Sequence, residues 1–170
     1  SHDQPNPPKF VNFMLQGWKE PKQVLPKPIK AAAAHKERRQ RVSAAFKKQF
    51  VIVPTGHEKV RANDTNYRFR PDTSFYYLTG NDEADCVLVL MPKRGGHEHV
   101  LFVEPNPGRS EPTFFMDRHK GELWVGPRLG IPESQQKFGV DRCEDLAKLP
   151  DLWKTIKKDK KDFVLMPGVD

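Results

Sequence analysis

His97, Glu98 and His99 follow directly on Gly95-Gly96. In an extended chain the two imidazoles would share a face, which is how a zinc or manganese site begins. Two ligands beside a hairpin turn fall short of the three or four such a site needs. The pair is therefore expected to be exposed turn histidines. Asp82, Glu83 and Asp85 likewise gather three carboxylates, which are expected to be solvated charge. There is no G-x-S-x-G, no phosphate-binding glycine loop and no Cys-His dyad, and Cys86 is expected to be buried in a strand. Cys86 and Cys143 form no CxxC pair and are read as reduced. Neither a metal site nor a catalytic residue is expected in this chain.

Two stretches carry residues suited to binding. Residues 67–80, YRFRPDTSFYYLTG, crowd two arginines and four aromatics around a Pro-Asp-Thr-Ser turn. Phe69, Phe75, Tyr76 and Tyr77 bring apolar area, Pro71 fixes the backbone, and Asp72, Thr73 and Ser74 can bond turn groups, which predicts an irregular loop locked onto a sheet. A guanidinium such as Arg70 can satisfy several carbonyls at once. Two readings stay open for Arg61, Asn63, Tyr67 and Arg70. They brace this loop, as the aromatic density favours, or they face a substrate or a neighbouring subunit. In residues 121–130, GELWVGPRLG, Trp124 stands on a predicted loop among Gly121, Gly126 and Gly130, with Arg128 placed to support it. Such a tryptophan is either a core aromatic or an interface group, since loop aromatics with charged neighbours are enriched at interfaces.

The elements that must position these residues can be read from periodicity. Residues 35–48 have a helical pattern with Val42, Ala45 and Phe46 on one face, and the Lys and Arg around them are expected to be solvated. Residues 50–54, FVIVP, form a buried strand. The runs 86–92 and 100–105 make a hairpin across KRGGHEH. Residues 143–158 read as helical with a new turn at Pro150, and a closing strand starts at Phe163. The class is α/β, a mixed sheet flanked by helices.

The net charge of +7 is confined to the front of the chain. Residues 1–50 hold 11 Lys and Arg against 3 Asp and Glu, while the other 120 hold 18 against 19. A nucleic-acid partner is therefore not expected. Residues 1–35 form a Pro-rich, basic extension, and residues 1–30 are predicted to be an extended arm. Phe10, Phe13, Leu15 and Trp18 in that arm imply docking on a partner or on the body of the domain. With no apolar run long enough for a membrane helix and no signal-peptide pattern, the chain is expected to be soluble and cytoplasmic.

The succession RANDTNYRFRPDTSFYYLTG, DEADCVLVLMP, VLFVEP, ELWVGPRLG and FGVD resembles the N-terminal domain of aminopeptidase P, within the creatinase and prolidase superfamily. Tyr77-Leu78-Thr79-Gly80 and the Trp-x-Gly-x-Arg-x-Gly run from Trp124 to Gly130 favour aminopeptidase P over prolidase or creatinase. The resemblance implies a ribonuclease H-like domain over residues 36–170. It also implies a separate pita-bread catalytic domain, which this chain is expected to lack, holding two divalent metal ions, often manganese, that activate water to cleave the bond before proline. It further implies a homo-oligomer, a dimer or tetramer, in which Trp124 reaches a neighbouring active site. The connection lengthened by NPGRSEPTFFMDRHK and the extension at residues 1–35 depart from the usual pattern. The alternatives are a non-catalytic binding module of the same fold, as in histone-chaperone subunits, or the N-terminal domain of a prolidase.

Overall fold

The computed structural model describes residues 6–20, 22–63, 65–106 and 108–166. The first five residues of the predicted arm, Pro21, and residues 167–170 of the predicted domain lie outside the described residues. In chain order the helices are α1 (Pro8–Met14), α2 (Ala32–Ala45), α3 (Thr73–Thr79), α4 (Thr113–Met116), α5 (Glu122–Val125), α6 (Ile131–Phe138) and α7 (Leu149–Lys158). The strands are β1 (Phe50–Pro54), β2 (Val60–Ala62), β3 (Thr65–Asn66), β4 (Val87–Lys93), β5 (Gly96–Val103), β6 (Arg142–Asp145) and β7 (Phe163–Leu165). They divide into two compact units, residues 1–24 with 106–129, and residues 25–105 with 130–170.

The larger unit is built on a five-stranded mixed sheet in the order β6-β5-β4-β1-β7, as the alternation of apolar runs and helices predicts. β4 is antiparallel to both β1 and β5, while β6 and β7 add parallel edges. Val51, Val53, Leu88, Val89, Leu90 and Val100–Val103 are all buried, because their strands are apolar on both faces. On one face Ile52, Val89, Val100 and Phe102 pack with Ile156 of α7, and Leu149, Leu152 and Trp153 lie against that cluster. The opposite face is covered by α2 and is partly polar.

That polar face corrects two expectations. The hairpin turns on Arg94 and Gly95 alone, with Lys93 paired to Gly96 and Gly95 at φ 84°, so His97 and His99 belong to β5. Alternation then sends both rings to the same side as the core residues Leu101 and Val103, and both are buried, not exposed in a turn. The Ser43 hydroxyl lies 2.7 Å from His97 Nδ1, and His97 Nε2 donates to the Gln49 carbonyl at 2.7 Å. The second correction concerns α2. Instead of Val42, Ala45 and Phe46, it buries His35, Arg39 and Ser43, spaced one turn apart.

Arg39 has no exposed surface. Its guanidinium donates to the Leu78 carbonyl at 2.8 Å and to the Gly139 carbonyl at 2.6 Å. These carbonyls sit at the C-terminal ends of α3 and α6, where helices run out of internal donors and favour positive charge. Burial lowers the Arg39 pKa to about 10, against an opposing pull from Asp141, so the group stays protonated at neutral pH.

The stretch expected to be an irregular loop contains α3. Asp72 accepts from the backbone N–H of Ser74 and Phe75 at 2.8 and 3.1 Å and so starts the helix, while Gly80 ends it at φ 70°. A Cβ on Gly80 would meet Ile29 and His35 at 2.5 and 2.6 Å, so a side chain there is excluded twice over. The predicted helix from Cys143 begins instead as β6, which pairs with β5 from Val100 to Val103, and the helix proper starts at Leu149. α6 was not expected. Its polar sequence IPESQQKF hides a start at Pro132 and a stop at Gly139.

In the smaller unit, residues 6–20 are not an extended arm. α1 places Phe10 edge-on to Phe115 at 6.3 Å between centroids, and Trp18 lies edge-on to Phe114 at 4.8 Å. Phe114 and Phe115 are buried. Arg109 reaches the buried Glu122 carboxylate at 2.6 Å and also donates to the Lys19 carbonyl at 3.1 Å. Apolar side chains that would have hindered disorder are thus used in local packing.

Arg39→Met is expected to destabilise the chain by about 2–4 kcal/mol in urea melts, because two buried carbonyls lose their donor. Arg39→Lys should recover less than half of that, since one ammonium cannot reproduce the guanidinium fork. A melt unchanged by Arg39→Met would contradict this role. A pH effect follows from His99, whose pKa falls to about 4 through burial first and the Arg39 charge second, against an opposing pull from Asp141. Because the unfolded chain then binds the proton more tightly, the stability is complete above about pH 6.5 and drains away as the pH falls toward 4. His99→Gln should flatten the urea midpoint between pH 7 and 4.5 by an amount equivalent to about 2–3 kcal/mol.

Candidate functional site

In the smaller unit the predicted loop around Trp124 is one helical turn, α5. It opens at Gly121, where a Cβ would lie 2.5–2.7 Å from the carbonyl oxygens of Asp117, Thr113 and Phe114, so only glycine fits. It closes at Gly126, at φ 82°. The turn points its polar start inward and its apolar side outward. Glu122 is buried, where Arg109 and Asn106 Nδ2 donate to its carboxylate. Trp124 is 56% exposed, beside the exposed Leu123 and Val125. It is therefore not a core aromatic of this unit.

The indole is nevertheless held in place. Its Nε1 donates to the Phe115 carbonyl at 2.6 Å, and the Arg118 guanidinium lies 5.9 Å from the ring centroid. Arg128 donates to the Lys120 carbonyl at 3.3 Å, tying the end of the segment back to the stretch before the turn. An aromatic ring fixed by a hydrogen bond and left open to solvent can bind an apolar group with little ordering cost. Glu122 and Arg109, which carry this turn, were missed in the sequence because nothing marks a carboxylate in GELW as buried.

Arg61, Asn63, Tyr67 and Arg70 belong to the larger unit, on and just after the β2–β3 ribbon. Arg61 lies in β2, Asn63 turns the chain at φ 50°, and the Tyr67 N–H donates to the Lys59 carbonyl at 2.9 Å. All four side chains are exposed and make no hydrogen bond to another described residue. Their segment is braced from elsewhere, by the Asp72 cap and by Phe75 and Leu78 in the core. Nearby, Arg38 stacks 4.2 Å from the Tyr77 ring centroid and donates to the Tyr77 carbonyl.

Among the described residues, no group of three or more His, Cys, Asp or Glu side chains could hold a metal ion. His57 bonds Asp85 at the mouth of an apolar groove of about 610 Å³ lined by Ile52, Val87, Leu149 and Trp153. Cys86 borders the same groove, but burial raises its thiol to about 12, and Cys143 likewise, so neither is a thiolate at neutral pH. Both cysteines are free. Among the described residues no helix is long and apolar enough to cross a membrane.

Residues 35–165 match the family model for the aminopeptidase P N-terminal domain. Xaa-Pro aminopeptidase 1 of Streptomyces coelicolor is 37% identical over 132 residues, which cover 78% of this chain and 27% of that protein. Among solved structures, the low-pH form of aminopeptidase P from Escherichia coli aligns with a TM-score of 0.60 and 26% identity, over 74% of this chain and 27% of that one. The zinc-substituted form of the same enzyme, in complex with product, aligns with a TM-score of 0.62 and 24% identity, over 76% of this chain and 27% of that one. The chain spans little more than a quarter of the length of these relatives.

Because Trp124 keeps more than half of its surface in water, Trp124→Ala is expected to cost the chain only about 1 kcal/mol in urea melts, the worth of one hydrogen bond and partial packing. A loss of about 3–5 kcal/mol would show instead a fully buried tryptophan.

Proposed function

The chain belongs to the aminopeptidase P N-terminal domain family, and from that premise we propose that it serves as the non-catalytic N-terminal domain of a metal-dependent Xaa-Pro aminopeptidase. The match over residues 35–165, together with an aligned stretch that covers only 27% of the Streptomyces relative, carries the reading. In it, the longer protein removes the N-terminal residue from peptides with proline in second position. Its catalytic domain is the first partner of this chain. Residues 36–170 form the domain proper, preceded by an extension at residues 1–35. The described residues supply no metal-ligand cluster, so the two divalent ions, manganese by family resemblance, belong to the catalytic domain. The protein works in the cytoplasm as a homo-oligomer, a dimer or tetramer.

The role of this domain is to shape access to the active site and to hold subunits together. Trp124 is the centre of that role, with Arg128 supporting its segment. The exposed, hydrogen-bonded indole supports this, since a rigid aromatic surrounded by Leu123 and Val125 suits a proline ring or the apolar rim of a neighbouring subunit. Arg61, Asn63, Tyr67 and Arg70 form a second access or interface surface. Their side chains are exposed and make no hydrogen bond to another described residue, which leaves them available for it.

The full-length protein should release the first residue from an Xaa-Pro peptide while residues 1–170 alone release none; cleavage by the isolated chain would refute the assignment. In the full-length enzyme Trp124→Ala should lower kcat/KM by ~10- to 100-fold, equivalent to ~1.4–2.7 kcal/mol of transition-state stabilisation. Arg128→Ala should act in the same direction but more mildly. An unchanged kcat/KM for Trp124→Ala would remove the tryptophan from the access route.

A further inference from the structure

Beside the C-terminal half of α2, a cavity of about 820 Å³ opens against the Arg94–Gly95 turn and the start of β5. Five cations line it: Lys36, Lys47, Lys48, Lys93 and Arg94. All five are exposed, and none makes an ion pair with a described residue. Asp141 is the one carboxylate in the lining, and its Oδ2 already accepts from the His99 N–H at 2.9 Å. The concentration of charge is not a general property of the chain, because beyond residue 50 basic and acidic residues nearly cancel.

The lining also includes the buried ring of His99, whose Nδ1 faces Asp141 Oδ2 at 3.6 Å, too far for a hydrogen bond. Both His99 ring nitrogens lack a hydrogen-bond partner, although the side chain is only 6% exposed. His97 beside it is fully engaged by Ser43 and the Gln49 carbonyl. Buried polar atoms are seldom left unpaired, and a neutral imidazole still has one N–H to offer.

We propose that this cavity binds an elongated anion carrying two or more linked phosphate groups. A single orthophosphate is too small to engage five cations spread around a space of this size, whereas a short phosphate chain can follow them and meet charge-assisted donors along its length. No Phe, Tyr or Trp lines the cavity, so a nucleobase finds no stacking platform. Recognition is of the phosphate chain itself, free or as the tail of a nucleotide. The site is distinct from the surface assigned to peptide access and does not depend on that assignment.

Calorimetry on the 170-residue chain in low salt tests this with tripolyphosphate, ATP, orthophosphate and citrate. Tripolyphosphate and ATP are expected to bind one to one with similar affinity, at least ~10-fold more tightly than orthophosphate or citrate, and to weaken as salt is added. ATP binding much more tightly than tripolyphosphate would overturn the claim that the phosphate chain alone is read. The double variant Lys93→Ala/Arg94→Ala should weaken tripolyphosphate by ~10-fold or more with an unchanged thermal midpoint. Lys158→Ala/Lys161→Ala, with the same loss of charge on α7 and after it, should leave binding intact. Absence of saturable binding, equal binding of citrate, or equal losses in the two double variants would overturn the proposal.

Discussion

A full positive charge with no exposed surface holds the larger unit together. Arg39 could have been replaced by an apolar side chain if its only task were to fill space, since burying a cation is costly. Its position gives the reason for its presence. Two short helices, α3 and α6, end beside the same face of the sheet, and each end presents carbonyls that no backbone donor can reach. One guanidinium bonds Leu78 from one end and Gly139 from the other, joining segments that lie 39 and 100 residues away in sequence.

The rest of that face follows from this choice. With Arg39 at its centre, α2 cannot present an ordinary apolar stripe, and the residues one turn away on either side, His35 and Ser43, are polar as well. His35 lies 2.9 Å from the Tyr77 carbonyl, and Ser43 bonds His97. The core of the other face, between the sheet and α7, is a cluster of apolar side chains and needs no such matching. α3, fixed at its start by Asp72 and at its end by Arg39, carries the exposed Tyr76 and Tyr77 on a rigid base. Specific polar pairing thus sets where the surfaces are, and apolar packing supplies the bulk of the cohesion.

The apolar strands were legible because β1, β4 and β5 are continuous runs of branched residues bounded by Pro and Gly, and such runs have few other uses. α2 was legible as a helix but its buried face was not, because RRQR reads as solvated until the carbonyls that need Arg39 are in place. β6 escaped notice since RCED has little strand character and is held in the sheet by pairing with β5. The histidines were misplaced because all of KRGGHEH was read as the connection between strands, whereas a two-residue turn at Arg94 and Gly95 draws His97 and His99 into β5. At the candidate site, the glycines around Trp124 led to a loop reading where one helical turn stands, and the buried Arg109–Glu122 pair that carries it has no sequence signature.

The central claim is that α2, α3 and α6 are locked to the sheet as one cooperative body through Arg39, which gives the exposed surfaces a fixed geometry. Native-state hydrogen exchange at increasing, sub-denaturing urea measures this directly. The amides of Gly80 and Gly139, which close the last turns of α3 and α6 on the Tyr76 and Gln135 carbonyls, are expected to exchange only through the same urea-dependent opening as the amides of β4 and β5. Exchange of Gly80 and Gly139 by a fast, urea-independent fraying, while the strand amides remain protected, would contradict the account.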